Sequence, residues 1–346
     1  MNRIYAALPD VLLPWYQSNK RDLPWRKDKD PYHIWISEIM LQQTRVEAVK
    51  GYYNRFVGYL PDIASLADAD DELLHKLWEG LGYYSRVRNL KKAAVEIVRS
   101  YNGIFPKDFK SVLGLPGIGV YTAGAICSIA FDQPTPAVDG NVLRVISRLT
   151  DDDTPIDLLA YREQVRNNLV EIYPDEAGEF TQALMELGAT VCGPNKKPGC
   201  DQCPCYDFCK GRINGRLDTL PVRQPKRQRR VEELTVFILN DNGKYALEKR
   251  SDKGLLAGLW QFPNIPGNIS PEETVVWAEQ NGVNPKNIIK QINRKHVFTH
   301  IEWKMQGTYL DVSSATDRFV WLTRDEIDRD VALPTAFRQF YDEIDF

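Results

Sequence analysis

The apolar positions of this chain change their period near residue 230, and that change divides it. Ahead of it they recur three and four apart, the spacing of one helix face. A long apolar-periodic stretch over 32–57 carries Ile34, Trp35, Ile39, Leu41, Val46 and Val49. A short helix is predicted over 70–79, with Asp70 or Asp71 capping it ahead of Leu73, Leu74, Leu77 and Trp78. The same pattern predicts helices over 87–98, 122–130, 142–149, 161–172 and 179–191. Turn signals separate them at Leu81-Gly82, Asn102-Gly103, Pro116-Gly117 and Asp139-Gly140. Residues 1–221 therefore read as an all-α domain. The stretch 222–230 has five positive charges and no acid, a linker signature. Beyond it, 234–239, 245–247, 296–299 and 308–312 have the β-branched and aromatic content of strands, and Asp241-Asn242-Gly243 supplies a hairpin turn. Ser270 and Pro271 open a helix by the capping pattern. Residues 231–346 read as an α+β domain.

Composition narrows the class. A length of 346 residues suits two domains, each with its own core. Forty-four Lys and Arg against 47 Asp and Glu give a net charge of −3, which excludes a protein that coats a polyanion. On that balance alone a nucleic-acid protein is not expected, although the basic residues are concentrated in 81–99, around the cysteines and in the linker. No run approaches the roughly 18 apolar residues of a membrane span. Pro9, Pro14 and charges interrupt the N-terminus, which is no secretory signal. The expectation is a cytoplasmic monomer without membrane contact.

Five of six cysteines fall between 192 and 209, spaced Cys192-x7-Cys200-x2-Cys203-x5-Cys209 with Cys205 inside the last gap. Such clustering favours a metal site in a reducing compartment over a disulfide framework. Zinc and an iron–sulfur cluster both remain open on spacing alone. Lys196, Lys197, Lys210, Arg212 and Arg216 flank the loop and suit it to gripping phosphate.

Two further features carry chemistry. In Leu115-Pro116-Gly117-Ile118-Gly119, Gly117 and Gly119 allow a tight turn that bares N–H groups at a helix start, where an anion such as a DNA phosphate binds. Twenty residues after Gly119, Asp139 opens another helix, and a plain N-cap is the simplest use for it. Glu38 lies among Trp35, Ile36, Ile39 and Met40, where a carboxyl is desolvated and its pKa raised.

In combination, LPWR (23–26), WISEIMLQQTRV (35–46), GLGYYSRVRNL (80–90), LPGIGVYTAGAI (115–126), VDGNVLRV (138–145), FTQALMELGA (180–189), the four cysteines and GLWQFP (258–263) resemble the MutY family of helix–hairpin–helix adenine DNA glycosylases. The resemblance runs through the whole chain. It implies a base-flipping enzyme that removes adenine mispaired with 8-oxoguanine in double-stranded DNA and leaves an abasic site. It implies one 4Fe–4S cluster on Cys192, Cys200, Cys203 and Cys209, although the family usually has six residues in the first gap where this chain has seven. Cys205 and Cys127 match no family ligand. Glu38 matches the acid that protonates adenine, and Asp139 the carboxylate that stabilises the cationic sugar. Tyr121 and Asn141 are implied to hydrogen-bond the Glu38 region, while Trp25, Arg26 and Gln182 line the adenine pocket. Gln43 and Tyr83 match residues that fill the stack left by the flipped base. Tyr121 stands where strand-cleaving relatives have a Schiff-base lysine, so a monofunctional enzyme is expected.

The second domain resembles the Nudix-like domain of the family. It lacks the glutamate-rich box that a Nudix hydrolase needs for Mg²⁺, so hydrolysis of that kind is expected to be lost. Phe298, Thr299 and His300 stand where the family has a Phe-Ser-His loop that contacts 8-oxoguanine; Thr keeps the hydroxyl and adds a methyl. The rival readings are a thymine or uracil glycosylase of the same superfamily, a bifunctional lyase, and a mismatch-binding protein without excision.

Overall fold

A computed structural model describes residues 3–194, 197–225, 228–313 and 316–344. Lys196 of the cysteine loop and Lys226 and Arg227 of the linker lie outside these. The chain divides into two compact units, 1–68 with 89–225, and 69–88 with 226–346.

The first unit is helical, as the apolar period predicts. Ala177–Glu186 packs on both Leu8–Asn19 and Val120–Phe131, and Val120–Phe131 also meets Pro31–Met40 and Phe109–Gly114. Leu8, Leu12, Val142, Ile146, Leu149, Phe180 and Leu184 form one core among them. The helix Leu8–Asn19 continues through Pro14. The stretch 32–57 is two helices, Pro31–Met40 and Val46–Tyr59, rather than one periodic run. The break holds Gln43 at φ +59, a left-handed conformation that no glycine or proline announces. Ala177–Glu186 runs directly into a π turn, Leu187–Val191.

The second unit is a mixed sheet. Its strands are β1 (Arg230–Asp241), β2 (Lys244–Lys249), β3 (Trp260–Gln261), β4 (Asn264–Pro266), β5 (Asn284–Val297), β6 (Ile301–Ser313) and β7 (Val320–Thr323). The order is β3-β2-β1-β6-β5, with β4 also on β1 and β7 on β2. β1 and β6 run parallel from Arg230↔Ile301 to Asn240↔Asp311; β5 and β6 are antiparallel. Helices pack against this sheet and close two cores, one around Phe237, Leu239 and Leu310, the other around Trp303, Phe337 and Phe340. Ser270 and Glu273 form the capping box expected at Pro271–Gln280. The predicted strand over 296–299 ends at Val297, and 298–300 is the loop joining β5 to β6.

The segment 69–88, expected within the helical domain 1–221, groups with the unit of this sheet. Specific bonds hold it there. Lys249 Nζ and Trp260 Nε1 donate to Glu72, at 2.5 and 3.1 Å, and Leu333 N donates to Glu79 Oε1 at 3.0 Å.

Candidate active site

Glu38 sits on Pro31–Met40 with its side chain turned inward, only 6% exposed. Burial pushes its carboxyl up to about 7. Tyr121 Oη, from the first turn of Val120–Phe131, donates to Glu38 Oε2 at 2.6 Å and opposes that rise; the charge of Asp139 adds to it. Asp139 is the N-cap of Gly140–Thr150, its Oδ1 accepting from Val142 N at 2.8 Å. The plain capping use and the chemical one are therefore compatible in one side chain. Burial also raises the Asp139 carboxyl, against the bonds from Val142 and Asn141 that favour its charge. Asn141 Nδ2 donates to Asp139 Oδ2 at 2.7 Å. Asn141 thus bonds Asp139, in the cavity that also holds Glu38. Gly188 lets the backbone come close enough to hold it, since a Cβ there would lie 2.8 Å from Asn141 Cβ.

These groups line one cavity of about 790 Å³, together with Trp25, Arg26, Gln43 and Gln182. Trp25 is buried edge-on against Tyr53. Gln182 Oε1 accepts from Tyr16 Oη at 3.1 Å. Gly119 begins the next helix without any side-chain cap, and Gly117 turns the hairpin at φ +77. The first-turn N–H groups of this helix have no side-chain cap, the arrangement in which a helix start can accept an anion.

Cys192, Cys200, Cys203 and Cys209 line one small pocket of about 20 Å³ with Arg148 and Arg212, and no carboxylate borders it. Cys205 is buried and does not line it. Arg148 Nη1 donates to Cys192 Sγ at 3.4 Å and to Gly193 O at 2.7 Å. Among the described residues, no three potential ligands already stand together in metal-binding positions. An all-thiol set with arginine counter-charge fits a soft metal or an anionic iron–sulfur cluster.

Tyr83 belongs to the second unit. There Tyr83, Ser85, Arg88, Leu256, Thr299 and His300 line a cleft of about 400 Å³. Tyr83 Oη and Thr299 Oγ1 are hydrogen-bonded at 3.1 Å. Phe298 is half-buried between His296 and Trp303, with ring centroids at 4.6 and 4.8 Å, while Thr299 and His300 are exposed. Glu273, one of the few acids on its helix, is used in the capping box.

Residues 36–171 match the HhH-GPD superfamily of base excision DNA repair proteins, and 234–343 match the NUDIX domain. The chain is 35% identical to the adenine DNA glycosylase of Rattus norvegicus, over 98% of this chain and 79% of that one. It is 33% identical to that of Homo sapiens, over 97% and 73%. The chain belongs to the adenine DNA glycosylase family. It is accordingly an enzyme of the class that hydrolyses N-glycosyl bonds. The adenine DNA glycosylase of Buchnera aphidicola from Acyrthosiphon pisum is 34% identical over 84% of this chain and 82% of its own. Among solved structures, a thermostable thymine-DNA glycosylase superposes with a TM-score of 0.56 at 28% identity, covering 62% of this chain and 98% of that one. Endonuclease III in a DNA complex shares the fold, at a TM-score of 0.51 and 23% identity over 61% and 97%.

In this glycosylase-family chain, sequence reasoning passed over three buried charges. Glu186 is fully buried and lines the cavity. Burial would raise its carboxyl, but Arg21 at 2.6 Å and Arg26 at 2.8 Å hold it at about 2. Arg144 donates to Asn141 Oδ1, Gly188 O and Cys192 O at 2.8–2.9 Å, and Arg148 donates to Leu220 O as well as to the cysteine loop. The apolar neighbours that marked Glu38 also flank Glu186 in ALMELGA, and that signal could have found it.

Proposed function

We propose that this chain excises adenine standing opposite 8-oxoguanine in duplex DNA, by hydrolysing the N-glycosidic bond without cutting the strand. The observation that carries the reading is a buried carboxyl, Glu38, poised near 7 in the same cavity as a hydrogen-bonded second carboxyl, Asp139. Adenine leaves poorly unless protonated, and the sugar it leaves resembles an oxocarbenium ion. The chemistry therefore needs an acid and a nearby negative charge. The charge of Asp139 helps to raise the Glu38 carboxyl, and two carboxyls in different environments can divide the two roles. Two bonds favour the Asp139 carboxylate against its burial, whereas burial pushes the Glu38 carboxyl up to about 7. Tyr121 occupies Glu38 Oε2 and leaves Oε1 to carry the proton to the base. Trp25 offers a flat wall, and Arg26 and Gln182 offer polar edges to a flipped purine. No lysine borders the cavity among the described residues, which supports a monofunctional glycosylase.

Cys192, Cys200, Cys203 and Cys209 would hold one 4Fe–4S cluster, which when bound would staple the loop and its basic flanks. The purified protein should then absorb visible light and contain iron, and Cys203→Ser should lose both; a colourless protein containing zinc would contradict this.

Thr299 and His300 would contact the 8-oxoguanine. Single-turnover excision should be faster on adenine:8-oxoguanine than on adenine:guanine, and Thr299→Ala should shrink that ratio about fivefold, the loss of one hydrogen bond. Equal rates for the unaltered protein on the two duplexes would remove the lesion-reading role. Release of thymine or uracil would favour the rival glycosylase reading instead.

A further inference from the structure

Residues 78–86 fold into a turn that is unusual in its backbone. Gly80 stands at φ +93, Gly82 at +70 and Tyr83 at +49. A tyrosine in the left-handed region persists only where its surroundings over-determine it. Arg86, 9% exposed, lies one turn further on and donates from Nη2 to Leu81 O at 3.1 Å and Gly82 O at 3.0 Å. Trp78 Nε1 donates to the same Gly82 O at 3.1 Å. The Arg86 guanidinium also stands over two rings, 5.3 Å from the centroid of Trp78 and 5.6 Å from that of Tyr83. Arg86 therefore holds, with Trp78, the carbonyls before Tyr83 and lies against its ring, whose hydroxyl is bonded to Thr299. Tyr83 itself is 46% exposed.

We infer that Arg86 is a positioning residue that builds the Leu81–Gly82–Tyr83 turn before DNA arrives and holds the Tyr83 ring ready to enter the base stack. This rests on the reading of Tyr83 as the residue that fills the stack. A ring already in place avoids the ordering cost that a mobile side chain pays on binding. Lysine keeps the charge at 86 and could still donate to carbonyls, but its ammonium lacks the planar guanidinium face that stands over the Trp78 and Tyr83 rings.

The test is a double-mutant cycle with Arg86→Lys and Tyr83→Ala on a duplex carrying 2-aminopurine beside the mispaired adenine, whose fluorescence reports unstacking. Tyr83→Ala should reduce the unstacking equilibrium on the order of tenfold, the scale of one stacked ring. Arg86→Lys should come close to that loss, and in the Tyr83→Ala background it should add less than about twofold. Losses that multiply would overturn the inference, since a merely structural arginine costs the same with or without the ring. So would an unchanged Arg86→Lys protein beside an impaired Tyr83→Ala one. If Tyr83→Ala leaves unstacking unchanged, the reading of Tyr83 fails instead. The melting temperature of Arg86→Lys, compared in both backgrounds, separates loss of fold from loss of placement.

Discussion

Replacing Glu38 by Gln should slow single-turnover adenine excision by about 10²- to 10⁴-fold, the usual worth of a general acid, while the Kd for mispaired duplex changes little. Glutamine keeps the volume and can still accept from Tyr121 Oη, so the cavity should stay intact. What it lacks is a proton to give. The pH dependence carries the same message with a definite sign. The carboxyl is raised from 4.5 to about 7 by burial, so it is protonated below that value and loses its proton as pH rises through it. Excision by the unaltered protein should therefore decline above about pH 7, and the residual activity of Glu38→Gln should lack that limb. Tyr121→Phe removes the bond that opposes the rise, so its limb should move to higher pH. A Glu38→Gln protein with undiminished excision would dismiss Glu38 as the acid.

Asp139→Asn is the second large effect. An asparagine Oδ1 can still accept from Val142 N, and Asn and Asp cap about equally well, so the helix Gly140–Thr150 and the fold should survive. The negative charge proposed to face the sugar is lost, and stabilisation of a developing charge by one well-placed group is commonly worth about 10²- to 10³-fold. Excision should fall by that order while DNA binding, measured by titration at fixed salt, stays within about threefold. A parallel loss of binding and excision would make Asp139 a structural cap only.

Much of this site was legible in the sequence because its chemistry contradicts its local pattern. Glu38 interrupts an apolar helix face, Gly117 and Gly119 interrupt two helices, and the cysteines crowd one loop. The structure brings Glu38, Tyr121, Asp139, Asn141, Trp25, Arg26, Gln43 and Gln182 to one cavity. Partnerships were less legible than positions. That Asn141 bonds Asp139 follows from the cap, which turns both side chains to the same end of their helix. Arg144 and Arg148 look like solvated helix charges, and their burial is offset by carbonyls from residues 188–193 and 220 that no local pattern reveals. The break after Met40 has no glycine or proline to mark it, since Gln43 itself takes the left-handed turn. β5 was largely missed because it is an edge strand whose burial alternates with exposed polar residues, leaving little apolar signal. The allegiance of 69–88 to the second unit rests on long-range bonds such as Glu72 with Lys249, which sequence proximity argues against.

The most direct measurement of the central claim is single-turnover analysis of the base released from duplexes that differ only at the mispair. Free adenine is expected from the adenine:8-oxoguanine duplex, with an intact strand at the abasic site until alkali is added, and no release of thymine or uracil. Tight binding of that duplex without any released base, or release of a pyrimidine in place of adenine, would contradict it.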